Sequence, residues 1–487
     1  MSQQEQHRDP LARPAPAEEN AGSVHPLPQG GEGWNPVASP GSCNQKSPMR
    51  HSAPGSLFFR HAEQLLTLAG PPTARRGKAL SQLGIIPHGA ILTQGTNILR
   101  VGQTRGLEPE ARRLKAEAID CRGSVVMPGF VDSHTHLVFA GSRVGDYEAR
   151  LRGKTYEEIA RAGGGIRLSA ERVREASISS LVRQGEDFLK QFMAHGTTTL
   201  EVKTGYGLEV AQELKLLEVI RRLRQISDLE LVPTLLAAHA LPPEYAGRPA
   251  AYIEMVVGEL IPRLARVGAH GRAPLHDPRR KLAEFIDCFC DRGAFTVEQC
   301  RQVLAAGKQQ GLIPRLHGEQ LSHTGASRLA VEFEAASADH LDKLSSADIR
   351  ALARSQVVAT LLPGVNFHLG LKTYPPARKL IESGAIVALA TDFNPGTSPT
   401  LNMQFILSVA CSALRMTPAE AISATTINAA YALRRADRLG SLEPHKQADL
   451  IVMDVSDYRE IPYYFAVNHC RMTVKAGTVV WERGSCP

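Results

Sequence analysis

The chain has 487 residues, 43% of them hydrophobic and 22% charged, and its excess of basic residues gives a formal net charge of +7. These basic residues are scattered through amphipathic segments and form no tract with interleaved aromatic residues, so the composition argues against nucleic-acid binding. The sequence contains no run of 18 apolar residues and no charged start followed by an apolar segment, which argues against a membrane span and a secretory signal. The eight cysteines show no CxxC spacing, a usage typical of reduced thiols in a cytoplasmic protein.

Both ends of the chain differ in composition from its middle. Residues 1–56 are rich in Pro, Gly, Ser, Gln and Asn, which predicts a disordered N-terminal extension because such a segment buries too little apolar surface to offset its ordering entropy. Residues 57–127 and 441–487 contain short apolar runs separated by turn signals, the pattern of β-strands. We predict that these two segments form one small β-sandwich domain built from both chain ends.

The central segment, residues 128–440, alternates between strand-like and helix-like patterns. Apolar runs predict strands, and the segments between them have a helical period. With the run that begins at Val131 as the first, the predicted strands lie at 197–202, 231–238, 282–289, 313–316, 335–338, 357–362 and 386–390. Eight strands alternating with helices, with no glycine-rich phosphate loop after the first, predict an α/β fold of the (β/α)8 TIM-like barrel type rather than an open doubly wound sheet.

The first predicted barrel strand ends in the motif Asp-Ser-His-Thr-His, residues 132–136. A strand alternates faces with a period of two, so His134 and His136 point the same way. Barrel enzymes build their sites at the carboxyl ends of the strands, and a histidine pair placed there predicts a metal-binding pair. A buried histidine pair without a metal is the alternative interpretation of so short a motif.

Other predicted strands also end in residues that can ligate, donate or accept. His317 follows the fifth strand and Asp392 the eighth, so that both would reach the same end of the barrel as the histidine pair. Three imidazole nitrogens and one carboxylate oxygen suit Zn²⁺, and also iron, with one position left open for water. The pattern therefore predicts a metal-dependent hydrolase.

Five longer motifs carry a resemblance to a known family. They are PGFVDSHTHLVFAGSR at 128–143, EVKTGYGL at 201–208, LHGEQLS at 316–322, ADHL at 338–341 and TDFNPGTSP at 391–399. In these motifs the chain resembles the amidohydrolase superfamily over residues 57–484. The arginine seven residues after the second histidine and the TGYGL loop are similar to the imidazolonepropionase family within it.

The resemblance implies an activity and a set of site residues. The expected reaction opens the ring of 4-imidazolone-5-propanoate with water and gives N-formimidoyl-L-glutamate, in the degradation of histidine. One Zn²⁺, Fe²⁺ or Fe³⁺ ion per chain would be bound by His134, His136, His317 and Asp392. The substrate pocket would be lined by Arg143, Tyr206, His239, Gln320, Asn394, Gly396 and Thr397. We expect a cytoplasmic homodimer that acts on a small molecule and has no nucleic-acid or membrane partner.

Which group carries the protons is left open by the sequence. Some branches of the superfamily have a catalytic glutamate three residues after the third metal histidine, where this chain has Gln320. Glu319 precedes that position, but neighbouring side chains on a strand face opposite ways. Asp392, His340 and Glu319 are therefore the three candidate catalytic residues. Asp392 could take a proton from water and pass it to the departing nitrogen, and His340 could polarise the carbonyl.

Other activities remain open at this point. A deaminase or a hydantoinase-like ring-opening enzyme would share the histidine pair, and a metal-free barrel could serve as an assembly scaffold. The Arg-rich segment 266–281 lengthens the connection between the third and fourth strands and predicts a surface insertion.

Overall fold

The computed structural model of the chain describes residues 55–267 and 281–484. The predicted disordered extension and most of the predicted surface insertion lie outside these described residues. The strands are, in chain order, β1 (Leu57–Leu66), β2 (Ile85–Gln94), β3 (Asn97–Gln103), β4 (Glu117–Asp120), β5 (Val125–Pro128), β6 (Phe130–Asp132), β7 (Thr197–Lys203), β8 (Glu230–Ala238), β9 (Phe285–Cys290), β10 (Ile313–Pro314), β11 (Leu316–Gly318), β12 (Ser337–His340), β13 (Val358–Leu361), β14 (Ile386–Leu389), β15 (Leu450–Met453), β16 (Cys470–Lys475) and β17 (Thr478–Glu482).

The helices of the described residues include those that follow most of the barrel strands. They are α1 (Thr104–Arg113), α2 (Val144–Leu151), α3 (Tyr156–Arg161), α4 (Ile166–Glu175), α5 (Ile178–Ala194), α6 (Val210–Ile226), α7 (Pro249–Met255), α8 (Ile261–Val267), α9 (Val297–Gln309), α10 (Ala326–Glu332), α11 (Ser346–Ala353), α12 (Pro363–His368), α13 (Ala377–Glu382), α14 (Met403–Ala413), α15 (Pro418–Ala424), α16 (Ile427–Ala432) and α17 (Glu460–Tyr463). Across both described ranges, none of the helices combines the length and apolar character needed to cross a membrane.

The strands from β6 to β14 form one parallel sheet in the order β6-β7-β8-β9-β11-β12-β13-β14, and β10 extends the fifth of these positions by pairing with β9. The two edges of this sheet meet beyond β6 and β14. The His136 N–H donates to the Phe393 carbonyl at 2.8 Å, and the Asp392 N–H donates to the His134 carbonyl at 3.0 Å. This closure confirms the predicted (β/α)8 barrel, and it places the residues that follow β6 beside those that follow β14.

The barrel forms because its strands are buried on both faces and its helices on one. All four residues of β14, Ile-Val-Ala-Leu, are buried, as expected for a strand with side chains packed inside and helices packed outside. Helix α6 buries Leu216, Leu217, Ile220 and Leu223 at helical spacing. Capping boxes such as Ser345 with Asp348 fix the starts of the helices after the strands.

A second, mostly antiparallel sheet uses both ends of the described chain. Its order is β17-β16-β15-β5-β1-β2-β3, with β4 also paired to β1, and its own apolar core includes Phe59, Ile91, Val452 and Val474. The separate β domain predicted from both chain ends is thereby confirmed. We propose domain boundaries near residues 128 and 441, where the chain passes from this sheet into the barrel and back.

A single glycine, Gly129, separates β5 of this second sheet from β6 of the barrel. A Cβ atom on Gly129 would lie 2.3 Å from Cγ2 of Thr198 on β7, closer than packed atoms allow. Glycine therefore lets the chain turn directly from one sheet into the other. This junction fixes the entry of the strand that carries the histidine pair.

A partly buried ion cluster joins the start of β8 to the C-terminal segment. The Glu230 carboxylate contacts the guanidinium groups of Arg435 and Arg438 and lies 3.7 Å from Nζ of Lys475. Burial alone would raise the pKa of Glu230, but these three cations outweigh it and lower the pKa to about 2. The carboxylate is therefore charged in the folded state at acidic pH values where an unfolded glutamate binds a proton.

We expect this ion cluster to make the stability of the fold depend on pH. The folded-state pKa of Glu230 lies below that of an unfolded glutamate, so its stabilisation is fully present above about pH 4.5 and is lost as the pH falls towards 2. The free energy of unfolding of Glu230→Gln, measured by urea titration from pH 3 to 7, should lie on the order of 2 to 4 kcal/mol below wild type near neutrality. The gap should narrow at low pH, and a gap independent of pH would contradict this account.

Candidate active site and metal centre

The histidine pair is held in place by the buried carboxylate of Asp132, two residues before His134. Asp132, the last residue of β6, accepts hydrogen bonds from the Thr391 hydroxyl at 2.5 Å and the Thr391 N–H at 3.1 Å. These bonds join the first barrel strand to the last. His134 and His136 consequently point into the barrel mouth, where their exposed fractions are 0% and 3%.

The predicted metal ligands converge around His134. Asp392 Oδ1 lies 3.3 Å from His134 Nε2 and 3.4 Å from His136 Nε2. On the other side, the rings of His134 and His317 have centroids 4.4 Å apart, and the ligand atoms of His134, His317 and His340 lie within 4.8 Å of one another. The structure thus brings all four predicted ligands, and also His340, to one end of the barrel.

Two buried carboxylates, Asp339 and Asp287, orient the histidine rings. Asp339 Oδ2 accepts a hydrogen bond from His134 Nδ1 at 2.8 Å, and Asp287 Oδ2 lies 2.9 Å from His317 Nδ1. Each contact turns Nε2 of the ring into the shared space, the arrangement commonly found behind metal-binding histidines.

Several atoms facing this space lack partners. Nε2 of His134, Nε2 of His317 and Oδ1 of Asp392 are buried without a hydrogen-bond partner. Leaving such groups unpaired costs free energy, whereas imidazole nitrogens and a carboxylate oxygen are the donors that Zn²⁺ and iron accept. The residues present therefore fit a metal ion.

Three further charged residues, Glu201, Lys203 and Arg315, lie beneath the predicted metal ligands, and sequence analysis assigned none of them to the site. Lys203 Nζ donates to Glu201 Oε1 at 2.6 Å and to Asp287 Oδ2 at 2.7 Å. Arg315 Nη2 donates to the Ser133 carbonyl at 2.7 Å and to Asp339 Oδ2 at 3.3 Å. We call Glu201, Lys203, Asp287, Arg315 and Asp339 the ionic layer; all five are fully buried. Burial opposes the charge of Lys203, but Asp287 and Glu201 outweigh it and raise the pKa of this ammonium.

His340 and His239 are neutral imidazoles at the rim of the centre. Burial lowers the pKa of His340 to about 4 and, together with His136, that of His239 to about 3. His239 Nδ1 lies 3.0 Å from the Gly205 carbonyl, to which it must donate, so its Nε2 is left as an acceptor. His340 Nδ1 is buried without a hydrogen-bond partner. Neither ring is an imidazolium near pH 7, so each carries a single N–H.

The loop that holds Tyr206 and Gly205 is shaped by Glu213 of α6, a residue that sequence analysis missed. The Glu213 carboxylate accepts from the N–H groups of Gly205, Gly207 and Leu208 at 2.8 to 3.1 Å. The Tyr206 ring is buried, with its centroid 5.9 Å from that of His136. Both predicted pocket residues of this region, Tyr206 and His239, therefore lie beside the metal ligands.

Arg143 lies directly over the loop after β14. Its Nε donates to Asp146 Oδ2 at 2.8 Å, and Asp146 also accepts from the Gly165 N–H at 2.9 Å. A Cβ atom on Gly396 would lie 2.2 Å from Nη1 of Arg143, so a larger residue there would displace the guanidinium from this position. The structure thus brings together Arg143 and Gly396, two residues predicted to line one pocket from distant parts of the chain.

Asn394 and Thr397 form the loop that carries Gly396. Asn394 Oδ1 accepts from the N–H groups of Gly396 and Thr397 at 2.9 and 2.7 Å, and Nδ2 donates to the Asp392 carbonyl at 2.7 Å. The polar atoms of Asn394 are therefore engaged in shaping the loop. Through that loop, Asn394 links the position of Asp392 to that of Gly396.

Comparisons with known proteins fit this geometry. The family model described as "Amidohydrolase family" matches residues 117–184 and 245–481. The imidazolonepropionase of Geobacillus kaustophilus (strain HTA426) is 46% identical over 431 residues, which cover 88% of this chain and 98% of that protein. This chain belongs to the imidazolonepropionase family of amidohydrolases. The family member from Chloroflexus aggregans is 44% identical and covers 88% of this chain and 99% of its own.

Solved structures with much lower identity share the fold. Guanine deaminase of E. coli superposes with a TM-score of 0.63 at 16% identity, covering 89% of this chain and 100% of that one. An adenosine deaminase from Xanthomonas campestris, solved with bound zinc, gives a TM-score of 0.59 at 18% identity, with coverages of 88% and 93%. These likenesses concern the barrel and the attached β domain, whereas the sequence relatives define the imidazolonepropionase family.

Glu319 and Gln320 have different surroundings. Gln320 occupies the position where some branches of the superfamily have a catalytic glutamate. The Glu319 carboxylate accepts from the N–H groups of Thr324, Gly325 and Ser327 at 2.9 to 3.4 Å, just before and within α10. These contacts direct Glu319 towards backbone rather than towards the histidines. The Gln320 backbone N–H donates to Asp291 Oδ2 at 2.8 Å, and the residue is half-buried.

We expect His317→Ala to remove most of the bound metal, because the remaining ligands no longer surround the ion. The measurement is metal per chain by inductively coupled plasma mass spectrometry after gel filtration. His323→Ala is the matched control, since His323 is half exposed and pairs with Asp348 at 2.7 Å away from the centre. Wild-type metal content in His317→Ala would place the centre elsewhere.

Proposed function

We propose that this protein is a metal-dependent hydrolase that opens the ring of 4-imidazolone-5-propanoate and releases N-formimidoyl-L-glutamate. The observation that carries the proposal is the convergence, at one barrel end, of an oriented metal-ligand set and an arginine lying over Gly396. The test is an assay of the purified chain with freshly prepared imidazolonepropionate, following the loss of its ultraviolet absorbance. No turnover by metal-loaded protein, or turnover of an aminopurine instead, would contradict it.

The metal proposed is one Zn²⁺ or iron ion per chain, held by His134, His136, His317 and Asp392. When bound, it would supply Lewis-acid activation of water and of the scissile carbonyl. Asp339 and Asp287 hold the rings of His134 and His317 from behind, so that their Nε2 atoms need not reorganise when the ion binds.

The propionate tail of the substrate is assigned to Arg143. With Nε engaged by Asp146, the two Nη groups form a fork that matches the two oxygens of a carboxylate. Tyr206, His239, Gln320, Asn394 and Thr397 complete the proposed pocket. His239 offers an acceptor at Nε2, which suits an N–H of the imidazolone ring.

Proton transfer is assigned to Asp392, with His340 as the group that stabilises the carbonyl oxygen. Burial alone would raise the pKa of Asp392, but His134 and His136 hold it well below its usual range. The carboxylate is therefore ionised, as the group that accepts the proton of the attacking water and passes it to the departing ring nitrogen must be. His340 is neutral and close to His134 and His317, so it can donate a hydrogen bond to the oxygen as negative charge develops.

We also propose that the enzyme is a cytoplasmic homodimer. Six free cysteines among the described residues agree with a reducing compartment. Tyr463, Phe465 and Val467 are 74%, 70% and 50% exposed, and neighbouring exposed apolar side chains are a common feature of association surfaces. Light scattering coupled to gel filtration tests the dimer, and a mass of one chain would contradict it.

Arg143→Met should weaken catalysis mainly through substrate binding, because the lost contact is remote from the scissile bond. We expect a penalty in kcat/KM on the order of 2 to 4 kcal/mol, expressed chiefly in KM, with metal content unchanged. Arg152→Met is the control. Arg143 and Arg152 flank the two ends of α2, but the Arg152 side chain is 75% exposed and pairs with Glu148. Equal kinetics for Arg143→Met and wild type would remove Arg143 from the pocket.

Asp392→Asn should lose more than about a thousand-fold in kcat/KM, because one residue acts as ligand and proton carrier. Gln320→Ala should lose only about 10 to 100-fold, the scale of one or two neutral hydrogen bonds. Glu319→Gln separates the remaining alternatives. If its activity falls as far as that of Asp392→Asn while its metal content and circular dichroism stay at wild-type values, then Glu319 is the proton carrier instead.

A further inference from the structure

We propose that the ammonium of Lys203 is a fixed internal cation that occupies the place of a second metal ion and so limits the centre to one. The proposal rests on the metal centre described under the proposed function. It concerns metal stoichiometry, however, and its test does not involve the substrate.

The first observation is the position of Nζ. It lies 2.6 Å from Glu201 Oε1, 2.7 Å from Asp287 Oδ2 and 3.8 Å from Asp339 Oδ2. Three carboxylate oxygens thus surround one ammonium inside a sealed barrel. Hard divalent cations prefer oxygen-rich surroundings of this kind.

The second observation is that these carboxylates already resemble a metal site. The ligand atoms of Asp287, His317 and Asp339 lie within 4.8 Å of one another, and Oδ1 of Asp339 is buried without a hydrogen-bond partner. A second ion bound by these residues would lie beside the Lys203 ammonium, which is 2.7 Å from Asp287 Oδ2 and 3.8 Å from Asp339 Oδ2. Two cations so close in a buried setting repel strongly, so the ammonium excludes the ion.

The third observation is the charge of the ionic layer. Three carboxylates face two cations, Lys203 and Arg315. A neutral residue at position 203 would therefore leave two uncompensated negative charges, which is costly in a buried site. A divalent cation would compensate both of these charges.

The test replaces Lys203 by uncharged residues of two sizes, one that leaves the space of the lysine side chain empty and one that fills it. Lys203→Ala frees both, Lys203→Met removes the charge but fills the space, and Lys190→Met is a surface control, since Lys190 is 58% exposed. Each full-length protein is loaded with one equivalent of Zn²⁺ and titrated with Mn²⁺. Free Mn²⁺ is counted by its room-temperature electron paramagnetic resonance signal.

We expect Lys203→Ala to bind one Mn²⁺ per chain at least 10-fold more tightly than zinc-loaded wild type, Lys203→Met or Lys190→Met. Lys203→Ser, which keeps a hydroxyl donor, replaces the alanine variant if that does not fold. Folded Lys203→Ala or Lys203→Ser that binds Mn²⁺ no better than wild type would overturn the proposal. Failure of both to fold even with Mn²⁺ and Zn²⁺ in the buffer would overturn it as well, because the ion is expected to replace the missing charge. Absence of turnover in the wild type, in contrast, would contradict the proposed function alone.

Discussion

The ionic layer beneath the metal ligands is the interaction on which the site depends. Its members come from β7, β9, β12 and the residue between β10 and β11, and Arg315 adds the backbone of Ser133 beside β6. Burying five charges is expensive unless each is paired, so the strands must keep the register that brings acids and bases together. The same carboxylates hold His134 and His317. The arrangement that pairs the buried charges is therefore also the one that orients the predicted metal ligands.

Backbone strain at the strand ends completes the site. Asp392, His340 and Glu319 all have positive φ, at 52°, 79° and 57°, a region that costs L residues roughly 1 to 3 kcal/mol each. The barrel closure holds one of them, since the Asp392 N–H donates to the His134 carbonyl. The positive φ values turn the chain out of the barrel directly after its strands end. The predicted metal ligands thus lie at or just after strand ends, whereas Arg143, Tyr206 and Asn394 lie on the loops that follow.

The sequence predicted the barrel and the convergence of its site residues for reasons that are local or periodic. Strand spacing gave eight units, and His134, His136, His317 and Asp392 each follow an apolar run. The ionic layer was missed although Glu201 and Lys203, two residues apart on a buried strand, face the same side. Their partners lie on distant strands, and only the closed barrel brings them together. Glu213 and Glu319 were also beyond prediction as backbone-binding residues. Which N–H groups they meet depends on loop conformation, and neither propensity nor charge pattern reports that.

If the ionic layer orients one metal-binding set and excludes a second ion, the wild-type chain binds a single metal ion. Anomalous diffraction at the zinc absorption edge, from crystals of the zinc-loaded wild-type chain, tests it most directly. We expect one peak per chain, about 2.0 to 2.2 Å from Nε2 of His134, His136 and His317 and from the Asp392 carboxylate. A peak between Asp287 and Asp339, or no peak at the histidines, would contradict it.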